Sequence, residues 1–491
     1  MHYPDFNEYQ KLSKQYNRIP VYRELNLEEP GHLLILKVMS EAGDVMFLES
    51  LGDNSDNTRF SFMGINPRHH YRFESGQMYK DNVHTGSFPD DKVFGYLKKE
   101  IDRYTSPAFE QFGHFNGGLA GYFGYEMVNY CGILRKPVRE NNKIPQIYLM
   151  HIDEFICFDN ETKKYYLSVC VYPEDGVQKS YYNALARLEE LEEEIINKIS
   201  ETTLPYMPSR AEEVEPRFTE SKTNFMSTVA KAVSMIDEGE ALQIVLSMRA
   251  MIPEDIDPYR FYLRLRKTNP SPYMYFIKVN GIVIVGSSPE VHVRCSGREA
   301  MLRPIAGTAK RTGDEKADKL ATEAMLADEK ECAEHLMLVD LARNDLSRIA
   351  IPESVKVTRF MQPENYSHVI HLVSDVESVL DDDKHMIDVL KESFPAGTVS
   401  GAPKVRAIEI IDECETQPRD IYSGAIGYMG FNQYLDTCIT IRTAYFTKEG
   451  NYLQAGAGIV QDSKPENEYQ EIRNKLGALA SSLAYAMPRK V

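Results

Sequence analysis

The sequence contains no tryptophan, although tyrosine reaches 30 and phenylalanine 21 among its 491 residues. Its seven cysteines, at 131, 157, 170, 295, 332, 414 and 438, form no C-x-x-C pair and no zinc-ligand spacing. A scattered, odd-numbered set in a long chain argues against a disulfide framework and predicts reduced thiols in a cytoplasmic setting. Positive charge is scarce as well. Lys and Arg total 56 against 73 Asp and Glu, a net charge of −17. That balance argues against an electrostatically driven nucleic-acid binder, whose surface is basic. No run approaches the ~18 apolar residues that a membrane-spanning helix needs. Residues 1–25 are polar and aromatic, without the apolar segment of a secretory signal.

What is present suits a soluble globular protein: 43% hydrophobic and 26% charged residues. The length exceeds what one core organises, which predicts two domains of roughly 200–250 residues. The first half reads as short strands, such as 33–38, 45–49 and 165–171, with a glycine-rich packing run at 117–125. A charged helix over 177–199 precedes Pro205, Pro208 and Pro216 among polar residues, the best linker stretch. The boundaries expected from this are 1–200, a linker at 201–217, and 218–491.

In the second half, Phe225, Val229, Val233 and Ile236 share one face of a helix over 221–238 that stops at Gly239. Strands at 244–249 and 282–285 follow, then one long helix through 314–345, then strands and glycine turns between 423 and 458. Ser463-Lys464-Pro465-Glu466 reads as a capping box opening the last helix. No fixed-period repeat is visible. Strand and helix runs mix without strict β-α-β alternation, which predicts an α+β fold with antiparallel sheet.

Two helical segments carry paired carboxylates, Glu331 with Glu334 and Glu468 with Glu471, each pair three apart and therefore on one face. Carboxylates from two helices meeting at a cleft suit Mg²⁺, which keeps positions for water and an anionic substrate; solvated helix faces are the plainer alternative. Gly456-Ala457-Gly458, after an expected strand 452–455, reads as a turn able to offer an anion-binding nest of amides, or as an ordinary turn. Alternation along an expected strand 438–443 puts Thr440 and Arg442 opposite Ile439 and Ile441, so Arg442 faces a cleft or solvent. The segment 394–404 lacks phosphate-loop spacing, which argues against ATP binding.

Several longer strings, in order, carry a resemblance. They are Asn269–Met274 (NPSPYM), Gly286–Glu290 (GSSPE), Arg303–Thr308 (RPIAGT) and Glu334–Asp345 (EHLMLVDLARND). Segments 394–408, 439–442 and 454–458 follow, and Glu471–Lys475 (EIRNK) closes the set. The chain resembles the chorismate-utilising enzymes, and among them the large subunits (component I) of anthranilate synthases. The motifs span most of residues 220–480. In the first half, Phe47-Leu48-Glu49-Ser50 resembles the family's Leu-Leu-Glu-Ser element, with Phe in the first place.

The resemblance implies an antiparallel sandwich flanked by helices, an N-terminal regulatory region (1–200) and a chorismate-binding catalytic region (218–491). It implies that Glu334 and Glu471 hold Mg²⁺, with Glu331 beside them. Arg442, Lys475 and the Gly456, Ala457 and Gly458 amides would take substrate carboxylates, with Tyr422, Gly307, Thr308 and Thr398 completing the pocket. Glu290 is expected as general acid and His371 near the later elimination. Ser50, Pro272, Tyr273 and Met274 match where the family binds tryptophan as feedback inhibitor. Family members that add water at C2 carry a lysine where this chain has Gln243. Those that make aminodeoxychorismate carry a nucleophilic lysine where it has Ala306. Neither residue can do those chemistries, so the anthranilate branch is expected, with aminodeoxychorismate synthase or an inactive chorismate or tryptophan sensor as alternatives. No glutaminase constellation is visible, so a glutamine amidotransferase subunit is expected as partner, in a heterotetramer of two large and two small subunits.

Overall fold

The computed structural model describes residues 2–51, 59–206, 214–253, 255–365 and 369–486. Two large antiparallel sheets, flanked by helices, organise the chain. One runs His2–Tyr3, Ile19–Leu25, Lys164–Val171, Glu154–Asp159, Phe60–Ile65, Val45–Glu49. It continues Tyr273–Val279, Ile282–Ser288, Thr443–Thr447, Gly450–Ile459, Gln243–Ile252 and Arg217–Phe218. The other begins Ile305–Lys310, Val369–Val379, Glu299–Leu302, Val291–Ser296, Tyr434–Ile439, Ala425–Gly430. It ends Gly118–Phe123, Ile147–Ile152, His69–Glu74, Gln77–Lys80 and Val83–Ser87.

Each sheet therefore takes a block of strands from each half of the chain. The blocks join at two seams: Val45–Glu49 on Tyr273–Val279, with Phe47 opposite Phe276, and Gly118–Phe123 on Ala425–Gly430. Glycine makes the second seam possible, because a Cβ on Gly118 would stand 2.2 Å from the Met429 carbonyl oxygen. Outward from either seam, the strand orders mirror one another. The second half thus repeats the topology of the first without any periodicity in sequence.

Alternation along the strands builds the layers. In Tyr273–Val279, Tyr275 and Ile277 point between the sheets into a core with Tyr122, Tyr148, Phe155, Cys438 and Tyr445. Met274 and Phe276 point the other way, under helices that include Gly31–Ala42, Pro258–Thr268 and Pro465–Leu483. Helices Lys92–Asp102, Glu329–Ser347 and Met386–Ser393 cover the second sheet. Fully burying one such side chain is worth about 1.5–3 kcal/mol, so these layers dominate the stability.

Strands change sheet at defined places. Ile282–Ser288 passes through Pro289 and Glu290 into Val291–Ser296, and neighbouring Tyr434–Ile439 passes through 440–442 into Thr443–Thr447. In the first half, Asp153 alone links Ile147–Ile152 to Glu154–Asp159. There the crossing is plugged by ions. Buried Arg18 donates to Asp153 Oδ1 (2.8 Å) and to the Asn116 and Ile152 carbonyls, and the Tyr172 hydroxyl donates to Asp153 Oδ2 (2.8 Å).

Four local expectations need correction. Residues 33–38 lie in a helix, Gly31–Ala42; their continuous apolar run is compatible with either structure, and burial on nearly all sides selects the helix. The span 314–345 is two helices, Glu315–Ala327 and Glu329–Ser347, because Asp328 leaves helical geometry and its carboxylate accepts the Lys330 and Glu331 amides. The stretch 438–443 is the sheet crossing rather than one strand, with Arg442 at φ 51°. The last helix, Pro465–Leu483, is preceded by Lys464 as cap rather than Ser463. The Ser463 hydroxyl oxygen accepts from the Val460 amide, and Glu466 pairs with Lys222. Of the expected linker, 207–213 lies outside the described residues.

Candidate active site

The two adjacent crossings open one end of the sandwich into a cavity of ≈ 660 Å³. Its walls gather Glu290, His371, Thr398, Gly307, Thr308, Tyr422, Arg442, Gly456, Gly458, Lys475, Glu331, Glu334 and Glu471. Of the residues expected to act in catalysis or to hold substrate and metal, only Ala457 is elsewhere; it is fully buried in the core on the opposite face of its strand.

The crossings place Glu290 and Arg442 side by side in sequence-distant segments tied by backbone bonds. The Ile439 amide donates to the Glu290 carbonyl (3.0 Å), and the Ser287 amide to the Arg442 carbonyl (3.2 Å). Burial lifts the Glu290 carboxyl to about 7, against the opposing pull of the Thr398 hydroxyl and the charges of Arg442 and Lys475. It therefore holds its proton to near-neutral pH. Burial also lowers the Arg442 pKa, and among the described residues no carboxylate lies within 4 Å of its guanidinium. A cation so placed is receptive to an anionic ligand.

The sequence GAG lies inside the strand Gly450–Ile459, not in a turn, so there is no nest. Gly456 pairs with Ser247 and Gly458 with Val245. The glycines matter by lacking side chains: a Cβ on Gly456 would stand 2.5 Å from the Tyr422 hydroxyl, and one on Gly458 2.9 Å from Gln243 Nε2. Both residues face the cavity and give it depth. Lys475 reaches from the last helix to donate to the Gly456 carbonyl (2.8 Å) while paired with Glu471 (2.7 Å).

On the facing wall, Gly307 takes φ 82° at a register shift in the pairing of Ile305–Lys310 with Val369–Val379. Thr308 lies opposite His371, whose Nδ1 is 3.1 Å from the Thr308 hydroxyl and 3.0 Å from the Gly307 carbonyl. Burial holds the His371 pKa down, with the Arg442 charge adding to the effect. Buried His335 ties the helix Glu329–Ser347 to these strands through Ser374 (2.6 Å) and the Ala306 carbonyl (3.3 Å). That anchor aims Glu331 and Glu334 at the cavity. Burial raises the Glu334 carboxyl, with Glu331 and then Glu471 adding repulsion.

Glu331, Glu334, Glu468 and Glu471 thus line one cavity, yet among the described residues no three potential ligands converge into a cage. An all-oxygen set from two helices, not preassembled, fits a hard ion that takes one or two protein carboxylates and completes its shell with water and substrate.

Sequence reasoning missed Lys330, Gln454 and Val245 in the walls. Lys330 was legible as four positions before Glu334 on one helical face, and Gln454 by strand alternation with Gly456. Lys404, in the segment reminiscent of a phosphate loop, is engaged instead with Asp345 (2.7 Å) and the Ser393 carbonyl.

The segments expected to bind an inhibitor meet at the first seam. Met274 pairs with Glu49, and the Leu51 amide donates to the Ser271 carbonyl, which sets Ser50 beside 271–274. Glu49 is buried; burial raises its pKa, but the nearby His32 ring (3.5 Å) and the hydrogen bonds and charge of Arg266 (2.7 Å) outweigh this and bring it to about 2. Tyr273 pairs across the ladder with Ser288, two residues before Glu290.

A recessed cavity with a proton-bearing carboxyl, a cation open to an anion and carboxylates from two helices defines an enzyme site for an anionic substrate. The chain belongs to the chorismate binding enzymes, whose family model matches residues 45–481. It is similar over nearly its whole length to proteins named anthranilate synthase component 1. That of Acetivibrio thermocellus is 37% identical over 495 residues, covering 99% of each chain. That of Aquifex aeolicus is 40% identical over 494 residues, covering 98% of this chain and 97% of its own. The crystal structure of anthranilate synthase component I from Streptococcus pneumoniae superposes with a TM-score of 0.76 at 32% identity, covering 87% of this chain and 93% of that one.

Proposed function

We propose that this chain is the chorismate-converting subunit of an anthranilate synthase. Chorismate and ammonia give anthranilate, pyruvate and water, the first step of tryptophan synthesis. The observation that carries the reading is the convergence of Glu290, Arg442, Lys475, His371 and Thr398 on one cavity with Glu331, Glu334 and Glu471. Arg442 and Lys475 hold substrate carboxylates. Glu290, which keeps a proton up to near-neutral pH, gives it to the departing ring hydroxyl as ammonia adds at C2. His371, largely neutral, stands by for proton transfer as pyruvate leaves and the ring aromatises. Tyr422, Thr308 and the recess above Gly456 and Gly458 orient the ring. Glu334 and Glu471, with Glu331 beside them, would hold Mg²⁺, which supplies an electrophilic anchor for a substrate carboxylate.

Gln243 and Ala306 line the cavity where the other branches of the family place a lysine, which favours anthranilate over the hydroxylated or aminodeoxychorismate products. Ammonia comes from glutamine through an amidotransferase partner, in a cytoplasmic heterotetramer of two large and two small subunits. Tryptophan, bound at Ser50 and Pro272–Met274, inhibits by displacing the strand that carries Ser288 toward Glu290. Among the described residues, no helix is long and apolar enough to cross a membrane.

The test is product identity. Purified protein with chorismate, Mg²⁺ and an ammonium salt is expected to release fluorescent anthranilate, with loss on chelation and recovery on adding Mg²⁺. Accumulation of aminodeoxychorismate without anthranilate refutes the assignment. Full activity in both Glu334→Gln and Glu471→Gln refutes the metal ligands.

A further inference from the structure

Arg419 has no role in the reaction just described, yet its buried guanidinium uses every donor it has. Nε and Nη2 fork onto Glu415 at 2.9 and 2.6 Å. Nη1 donates to the Val399 carbonyl (2.8 Å) and Ser423 Oγ (3.2 Å), and Nη2 also to the Val245 carbonyl (2.6 Å). The plane lies over the Tyr125 and Tyr422 rings, 4.8 and 5.5 Å from their centroids.

Three of these partners are cavity walls. Val245 belongs to the strand Gln243–Ile252, Val399 to the short turn Gly397–Val399 that presents Thr398, and Tyr422 to the connection before Ala425–Gly430. Glu415 extends the link: it accepts the Ser247 amide and hydroxyl (2.8 and 2.9 Å), and Ser247 Oγ accepts from Gln454 Nε2 (2.9 Å). The Val245 strand and the Thr398 turn already meet through the Val245 amide and the Ser400 carbonyl (2.9 Å) and the pairing of Gln243 and Ile244 with Ala402 and Gly401. The Tyr422 connection lies outside that ladder, and Arg419 joins it to both at one planar group. A lysine supplies the charge but not the fork.

We propose that Arg419 is a positioning residue for the reaction: it fixes the Thr398 turn, Val245 and Tyr422 at the spacing the substrate needs, without touching the substrate. This rests on the reading above. Glu290 is faced by the Thr398 hydroxyl, Arg442 and Lys475, and of these the Thr398 turn is the one Arg419 holds.

The experiment compares the full-length protein with Arg419→Lys and Glu415→Gln, each checked for folding by circular dichroism, in the anthranilate assay across pH at constant free ammonia. Arg419→Lys is expected to lower kcat by about 10–100-fold, the scale of an ångström-level misplacement, and Glu415→Gln by less. In both, the alkaline limb moves, because displacing the Thr398 turn changes the surroundings of the buried Glu290 carboxyl. Guanidinium ion added to Arg419→Ala restores part of the lost kcat. Folded variants with wild-type kcat and an unmoved limb overturn the assignment, as does a loss that tracks only the folded fraction. Absence of anthranilate from the wild type instead overturns the underlying reading of the site.

Discussion

In the reaction proposed above, Glu290 gives its proton to a leaving hydroxyl, and burial is what keeps that proton on the carboxyl up to near-neutral pH. Its active form is the acid, which disappears as pH rises through about 7. With free ammonia held constant, kcat is expected to fall on that alkaline side. Glu290→Gln is expected to lose about 10²–10⁴-fold in kcat and the limb with it; a retained limb would assign the proton to another group. Glu126 shows the same physics outside the cavity. It is buried, accepts the Arg419 amide (2.7 Å) and Asn142 Nδ2 (2.6 Å), and burial together with the Asp420 charge lifts it to about 8. The folded state keeps a proton that the unfolded chain releases above about 4.5, so stability falls as pH rises from there toward 8. Glu126→Gln should therefore gain melting temperature relative to wild type as pH goes from 5 to 8. A difference independent of pH contradicts the assignment.

Among the elements, the strand Gly450–Ile459 and the helix Pro465–Leu483 contribute to one wall by different means, and their glycines separate the roles. A Cβ on Gly456 meets the Tyr422 hydroxyl and the Leu246 carbonyl, whereas one on Gly477 meets nothing within 4 Å. Gly456→Ala is expected to cut kcat/KM for chorismate by tenfold or more, about 1.4 kcal/mol, while the protein stays folded. Gly477→Ala is expected to raise stability by about 0.4–1 kcal/mol with activity unchanged. Equal kinetics in the two variants would remove Gly456 from the wall. These elements also mark how far the sequence could be read. Helical and strand periodicity placed Phe225, Val229 and Ile236 on a buried face and Glu331 beside Glu334. Strand alternation put Arg442 at a cleft, where it lies, but not by period two: the chain changes sheets there, and Ile441 lines the cavity beside it. Gly456–Gly458 read as a turn because glycine signals turns locally, and only the facing Tyr422 and Gln243 explain its absence of side chains. The ordered family strings placed the pocket, whereas Arg419 was not singled out, since its three walls come together only in space.

For the whole molecule, the mirrored strand order makes each half depend on the other. The strands Val45–Glu49 and Gly118–Phe123 become open edges once the second half is removed, and Gly118 and Phe47 are exposed with them. Residues 214–491 produced alone are expected to aggregate or stay unfolded, and co-production with residues 1–206 to restore a soluble complex. A second half that is monomeric, folded and active on its own would show that the seams are dispensable. The two halves also treat the same junction differently. At Asp153 the passage between sheets is short and clamped by Arg18 and Tyr172, while at 289–290 and 440–442 it is splayed around a void. Like a book held at its spine, the sandwich is clamped along one margin and open along the other. Glu290 and Arg442 sit on the open margin's own crossings, so the departure of the chain from the sheets that makes the void also supplies the groups that face it.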